Sequence, residues 1–145
     1  MLLSPHFSYE ELTSTQVRGV DNTPSAEVLA NLRKTASSME DVRSMLGKPV
    51  LVTSGYRSRR VNELVGGAIS SAHTLGYACD FICPGYGTPL DVCRVLVGSG
   101  LKFDQLIEEG TWVHLSFAPA MRRQVLTKTS RGYAPGLPED KPAQA

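Results

Sequence analysis

The chain has 145 residues, which is long enough to bury a core and is most simply one domain. Its composition, 41% hydrophobic and 20% charged, is typical of a globular protein. The net charge of +1 argues against nucleic acid as the main partner, because phosphate binding usually needs a basic face, and no apolar run approaches the length of a membrane span.

The N-terminal residues and the cysteines bear on where the protein works. The start, MLLSPHFSYEEL, lacks the basic and long apolar regions of a secretory signal, so we expect a cytoplasmic protein or one that is released by other means. Three cysteines, Cys79, Cys83 and Cys93, are an odd count that fits reduced thiols better than a disulfide framework. A zinc site built on them would need further ligands at familiar spacings.

Two helices are predicted in the N-terminal third. A short one follows Ser8, with Glu11 three residues later, as in a capping box. The longest helix is predicted to take Thr23 as its N-cap and Pro24 as its first residue, and to end at Gly47. Apolar residues at helical spacing mark its buried stripe. They are Leu29, Leu32, Ala36, Met39, Val42 and Leu46.

Five short strands and two short helices follow. In chain order they occupy 50–53, 59–65, 77–82, 89–97, 103–107, 111–117 and 124–129. The strand at 50–53 is predicted to be buried, and the strand at 124–129 to lie at a sheet edge. A tight hairpin at 108–110 is predicted to join the strands at 103–107 and 111–117. This order predicts an α+β fold with a mainly antiparallel sheet and flanking helices. The domain is predicted to cover 1–129, and 130–145 to form a loose C-terminal tail.

Three residues, His73, Asp80 and His114, could together hold zinc. A catalytic zinc site takes three protein ligands and leaves the fourth position to water. Asp80 lies in an apolar strand, where a buried carboxylate is costly unless it is paired or bound to metal. Taken singly, a hydrogen-bonded core histidine or strand aspartate in a plain structural domain is the simpler explanation. If the two strands are neighbours, however, all three side chains converge on one face of the sheet.

Four short runs carry a resemblance to a known family: SGYRS at 54–58, SAH at 71–73, GYACD at 76–80 and WVHLS at 112–116. They resemble the M15 peptidases, zinc D-Ala-D-Ala carboxypeptidases and related peptidoglycan endopeptidases that share a fold with the hedgehog signalling domain. The combined S-x-H-x6-D and W-x-H pattern is specific. Within this family, the sequence is similar to small bacteriophage endolysins, which also lack a wall-binding module and a signal peptide.

The resemblance implies roles for individual residues. His73, Asp80 and His114 match the zinc ligands. Arg57 matches the arginine that meets a substrate carboxylate or the developing oxyanion, and its alternative is a surface salt bridge. Ser71 is predicted to donate a hydrogen bond to the same end of the substrate, and its alternative is a hydroxyl that caps a loop.

The general base is predicted to be Glu108. Many family members have an acid three residues before the last histidine, where this chain has Thr111. Others have a glutamate six residues before it, which corresponds to Glu108. Glu109 is the competing candidate for the base, but strand alternation is expected to direct it to the opposite face, and the alternative for both glutamates is a solvated turn. Trp112 stands where some carboxypeptidases of the family have a histidine.

The resemblance therefore implies zinc-dependent hydrolysis of peptide bonds in bacterial peptidoglycan, with Glu108 and Arg57 as catalytic residues. We expect a monomer that neither binds nucleic acid nor enters a membrane, is made in the bacterial host cytoplasm and acts on the wall after release. The bond that is cut depends on the shape of the pocket, for which the loops 66–72 and 83–88 are candidates. The alternative, favoured by Thr111, is a non-catalytic zinc-containing wall-binding or phage structural module.

Overall fold

A computed structural model describes residues 1–139 as a mixed α+β fold. The elements, in chain order, are Leu2–Ser4 (β1), Phe7–Ser8 (β2), Tyr9–Thr13 (α1), Ala26–Leu46 (α2), Leu51–Ser54 (β3), Arg59–Leu64 (α3), a 3₁₀ helix at Ala72–Leu75, Ala78–Ile82 (β4), Pro89–Val97 (α4), Gln105–Glu108 (β5), Val113–Ser116 (β6), Gln124–Thr129 (β7) and Gly132–Pro135 (β8). None of the described helices is long and apolar enough to span a membrane.

A six-stranded sheet organises the fold, and β1 and β2 pair separately. Its strand order is β3-β4-β6-β5-β7-β8, and all neighbours are antiparallel except β5 and β7, which run parallel. The predicted α+β class with a mainly antiparallel sheet is confirmed. The two strands at the centre of the candidate site, β4 and β6, lie side by side within the sheet.

The sheet has one face in the core and one face turned towards the candidate site. On the core face of β4, β5 and β6 every residue except Glu108 at the end of β5 is fully buried, and these residues are Cys79, Phe81, Leu106, Val113 and Leu115. They form one cluster with the apolar stripe of α2 and with α4, which contacts β5 and β6. Because side chains alternate along a strand, this packing also fixes which residues point to the other face.

Local capping explains where the N-terminal helices begin. The predicted capping box of α1 is present: Ser8 Oγ accepts from the Glu11 N–H, and Glu11 accepts from the Ser8 N–H. The prediction that α2 begins after Thr23 is wrong, because Ser25 is the N-cap and accepts from the Val28 N–H at 3.2 Å. The Thr23 N–H instead donates to Asp21 Oδ1, which holds this stretch in a turn before the helix.

The edges of the sheet differ from the prediction. The strand predicted to be buried at 50–53 is β3, which lies at an edge, with Leu51 48% exposed. A bulge between Val52 and Ser54 shifts its register against β4. The strand predicted at the edge, β7, lies between β5 and β8.

The predicted loose tail is wrong for Gly132–Pro135, because these residues form β8 and extend the sheet past the predicted domain limit at 129. Gly132, with a φ of 114°, makes the turn from β7 possible. Residues 140–145 of the predicted tail lie outside the described part of the chain.

An ion pair between exposed Arg122 and buried Asp104 holds the crossover that returns the chain from β6 to β7. Arg122 Nε and Nη2 donate to the two carboxylate oxygens of Asp104 at 2.9 and 2.8 Å, and the Arg122 backbone N–H donates to the same carboxylate at 3.1 Å. The residues on either side, Met121 and Arg123, have positive φ values of 45° and 54°. A positive φ is unfavourable for residues with large side chains, so this backbone conformation persists only where surrounding contacts hold it.

Arg123 supplies the second set of partners. Its guanidinium donates to the carbonyl oxygens of Ser99 at 2.8 Å and Leu101 at 3.1 Å, just after α4, and lies over the ring of Phe103 at 4.7 Å. The two arginines therefore tie the crossover to the loop before β5, which brings β7 beside β5.

Hydrogen bonds from Arg122 hold the pKa of Asp104 below its ordinary value. A carboxyl group whose pKa is lowered by folding stabilises the folded state above its unfolded pKa of about 3.9, and this contribution is lost as the pH falls towards the lowered value. Asp104→Asn is therefore expected to lower the free energy of unfolding in urea at pH 7, and to lower it less at pH 3. Asp41→Asn, at an exposed position of α2, is the control. An equal loss for Asp104→Asn at both pH values would contradict an ionic contribution from this pair.

Candidate metal centre and active site

The structure brings the three predicted zinc ligands together. Asp80 on β4 lies directly opposite His114 on β6, and His73 lies on the 3₁₀ helix that precedes β4. Asp80 Oδ1 is 3.1 Å from His73 Nε2 and 2.9 Å from His114 Nδ1. All three side chains are buried. Among the described residues, no other group of His, Cys, Asp and Glu side chains converges in this way.

The spacing of these atoms fits a zinc ion. The ligand atoms of the three residues all lie within 4.8 Å of one another. Bonds of about 2.0–2.1 Å in a tetrahedral site put ligand atoms about 3.3 Å apart, close to the two separations seen here. A carboxylate and two imidazoles are also a donor set that zinc accepts.

Hydrogen bonds determine the charge of Asp80. Burial alone would raise its pKa, but hydrogen bonds from His114 and His73 outweigh burial and hold the pKa of Asp80 well below its ordinary value. The carboxylate is therefore ionised in the folded protein, which is the state that binds a metal ion.

A backbone carbonyl orients His73. Its Nδ1 lies 2.7 Å from the Gly55 carbonyl oxygen, which can only accept a hydrogen bond. Nδ1 therefore carries a hydrogen, and this bond directs Nε2 at Asp80 and the metal position. A Cβ on Gly55 would lie 2.3 Å from the Leu12 carbonyl oxygen, so only glycine lets this turn pack against α1.

Arg57 lies against the metal centre and not in a surface salt bridge. Its side chain is 19% exposed, and Nη2 lies 3.3 Å from Asp80 Oδ2. Nε donates to Ser54 Oγ at 3.2 Å, and Nη1 donates to Asn62 Oδ1 at 3.3 Å. A guanidinium has five N–H donors, so these bonds fix its position and leave donors for another acceptor.

A cavity of about 670 Å³ opens over the metal centre. Its wall includes Arg57, the loop 66–72 named in the sequence analysis, the site face of β5 and β6, and the crossover residues around Arg122. The loop 83–88, the other candidate for shaping the pocket, does not line it. The volume lies in the usual range for sites that bind small molecules.

Glu108 does not face this cavity. The register pairs His114 with Ile107 and Glu108 with Val113, so Glu108 is on the core face of β5. Its Oε1 accepts from the Gly110 N–H at 2.6 Å. Burial and then the charge of Glu108 raise the pKa of Cys93 on α4 to about 12, which places Glu108 on the side of α4. The prediction that Glu108 reaches the metal-bound water is therefore wrong in its geometry.

The glutamate that lines the cavity is Glu109. The sequence analysis predicted that the two glutamates point to opposite faces of the sheet. The predicted three-residue hairpin loop, 108–110, would place Glu108 on the same face as His114. In the structure four residues separate the paired Glu108 and Val113, and this even number reverses the two faces. Counting from His114 across an even-numbered hairpin would have identified Glu109.

Ser71 and Trp112 also line the cavity. Ser71 Oγ accepts from the His73 N–H at 3.2 Å and caps the 3₁₀ helix, as in the alternative given for it, while its O–H remains a donor. Trp112 Nε1 is the one buried side-chain nitrogen or oxygen of the described residues without a hydrogen-bond partner. A buried N–H group without a hydrogen-bond partner is costly, and this one belongs to a residue in the cavity wall.

Comparison with known families agrees with this geometry. Residues 5–116, more than half of the chain, match the family model of peptidase M15. The chain belongs to the peptidase M15 family. No curated protein matches the chain significantly. Membership implies a metallopeptidase, and M15 peptidases are typically zinc-dependent. The match ends at Ser116, so β7 and β8 of this M15 chain lie beyond it.

His73→Ala, Asp80→Ala and His114→Ala are each expected to lose bound zinc. Loss of a partner outside the ligand shell already lowers metal affinity by about 10–100-fold, so loss of a ligand should lower it further. Zinc per chain is measured by mass spectrometry of the dialysed protein. His6→Ala is the matched control, since His6 is half-exposed and bonded to Glu40. A variant that keeps one zinc per chain would remove that residue from the ligand set.

Proposed function

We propose that this protein is a zinc metallopeptidase that hydrolyses peptide bonds in the stem peptides or cross-links of bacterial peptidoglycan. The observation that carries the proposal is the convergence of His73, Asp80 and His114 in a cavity that Glu109 also lines. The M15 family supports the metallopeptidase chemistry. The peptidoglycan substrate rests on the resemblance of the sequence to carboxypeptidases and endopeptidases of that family.

Zinc held by His73, Asp80 and His114 would supply a Lewis acid that polarises the scissile carbonyl and lowers the pKa of a water molecule. Glu109 then acts as the general base, because it is the glutamate on the site face. Its carboxylate takes a proton from the attacking water and returns it to the leaving amine. This assignment replaces Glu108.

Arg57 stabilises negative charge at the reacting end of the substrate. Its three hydrogen bonds to Ser54, Asn62 and Asp80 hold the guanidinium beside the metal centre, so little reorganisation is needed when charge develops. The remaining N–H donors suit a substrate carboxylate or an oxyanion. The free O–H of Ser71 is a second donor on the same wall.

An endolysin-like role in lysis of the host cell is part of this proposal, with synthesis in the host cytoplasm and action on the wall after release. The non-catalytic alternative depended on Thr111, which stands where many relatives have an acid. Glu109, two residues before Thr111 in the same hairpin, supplies an acid in the cavity wall, and this favours the catalytic function.

Glu109→Gln is expected to keep its zinc and to lose about 10²–10⁴-fold in kcat, because glutamine cannot take the proton. Glu108→Gln is the matched comparison, one residue away on the other face, and should keep kcat within a few-fold. Zinc content and hydrolysis rate are measured on both variants. The reverse result, with Glu108→Gln inactive, would restore Glu108 as the base.

Digestion of purified peptidoglycan is expected to release new peptide ends that a chelator abolishes and added zinc restores. Mass analysis of the fragments identifies which bond is cut, whether D-Ala-D-Ala, L-Ala-D-Glu or a cross-bridge. Absence of cleavage by a protein that holds one zinc per chain would reject the peptidoglycan substrate and favour the non-catalytic module.

A further inference from the structure

The last strand of the sheet contributes a side chain to the active-site cavity. Tyr133 on β8 lines the same cavity as His114 and Glu109. β8 pairs with β7, where Tyr133 lies opposite Lys128, and β7 runs parallel to β5. In this strand order Tyr133 lies on the far side of β7 from the end of β5, and its side chain extends to Glu109, which follows β5 in the hairpin.

Tyr133 contacts Glu109 directly. The phenol oxygen lies 3.2 Å from Glu109 Oε1. Burial, followed by the negative charge of Glu109 and the hydrogen bond to it, raises the pKa of Tyr133 above its ordinary value. The phenol therefore keeps its hydrogen at neutral pH and donates it to the carboxylate, which can only accept.

Within residues 1–139 no other hydrogen bond holds the Glu109 carboxylate. Glu109 is only partly buried, and Gly110 follows it with a φ of 94° at the tip of the hairpin. A long side chain at such a position has several rotamers available to it. A donor on one oxygen selects among them and leaves the other oxygen, Oε2, free for the proton transfer.

We propose that Tyr133 is the positioning residue of the general base: its hydroxyl holds the Glu109 carboxylate towards the metal centre. Strand β8, which lies beyond the region matched by the family model, thereby completes the active site. The inference rests on the proposed role of Glu109 as the base. It assigns a function to the hydroxyl group of a residue that is 55% exposed and adds little to the core.

Tyr133→Phe removes the hydroxyl and keeps the ring, so it tests the hydrogen bond alone. Misplacement of a reacting group by about 1 Å costs up to about 100-fold in rate, so kcat on purified peptidoglycan is expected to fall by about 10–100-fold. KM and zinc content should stay within twofold of the wild type. Tyr86→Phe is the matched control, an exposed tyrosine outside the cavity.

Crystal structures of the wild type and Tyr133→Phe give a readout that does not depend on activity. The Glu109 carboxylate is expected in one rotamer in the wild type and in several, or in another one, in the variant. An unmoved Glu109 in the variant, an unchanged kcat, or a loss of zinc from the variant would each overturn the inference.

The two proposals fail in different ways. If Glu109→Gln is inactive while Tyr133→Phe matches the wild type in kcat, the base assignment stands and the positioning role is rejected. If Glu109→Gln is fully active, the proposed base is rejected, and the positioning role with it.

Discussion

A carboxylate on a side chain that is only 7% exposed, within the sheet, is the constraint on which this structure depends. Asp80 must be surrounded by donors, and they come from three places: His73 from the 3₁₀ helix before its strand, His114 from the neighbouring strand, and Arg57 from the turn after β3. Removing one partner of a buried charge pair typically costs about 3–5 kcal/mol, so these segments are held in place relative to one another. The same arrangement that satisfies the charge forms the metal site.

The core and the site share their strands. On β4, Cys79 and Phe81 pack into the core on either side of Asp80, and on β6 Val113 and Leu115 do so on either side of His114. A shift by one residue would bury the ligands in the core and expose the apolar side chains. The hydrophobic packing of α2 and α4 against the sheet therefore sets the register that aligns the metal ligands.

Features that depend on neighbouring residues could be predicted from the sequence. The capping box of α1 and the bounds of α4 follow from local spacing. The convergence of His73, Asp80 and His114 is the exception: it depends on a distant strand pair, and it was predicted from the cost of an isolated buried carboxylate and from the resemblance to M15 peptidases. The start of α2 was missed because Thr23 bonds to Asp21, a local competitor that the helix signature does not reveal.

Features that depend on the pairing register or on distant contacts could not be predicted. The choice between Glu108 and Glu109 turns on whether the hairpin connection has an odd or even number of residues. Strand β8 has the glycine and proline content of a loop, and it becomes a strand because β7 offers it a partner. Without β8 in the prediction, Tyr133 could not be placed near the site.

The two edges of the sheet also bear on how the protein behaves in a crowded solution. A long regular edge strand offers unpaired N–H and C=O groups to any other chain and promotes aggregation. On one edge the bulge between Val52 and Ser54 interrupts the regular spacing of β3. On the other, β8 is only four residues long and ends at Pro135, which has no N–H to donate. Neither edge therefore offers a long template on which a second copy could extend the sheet.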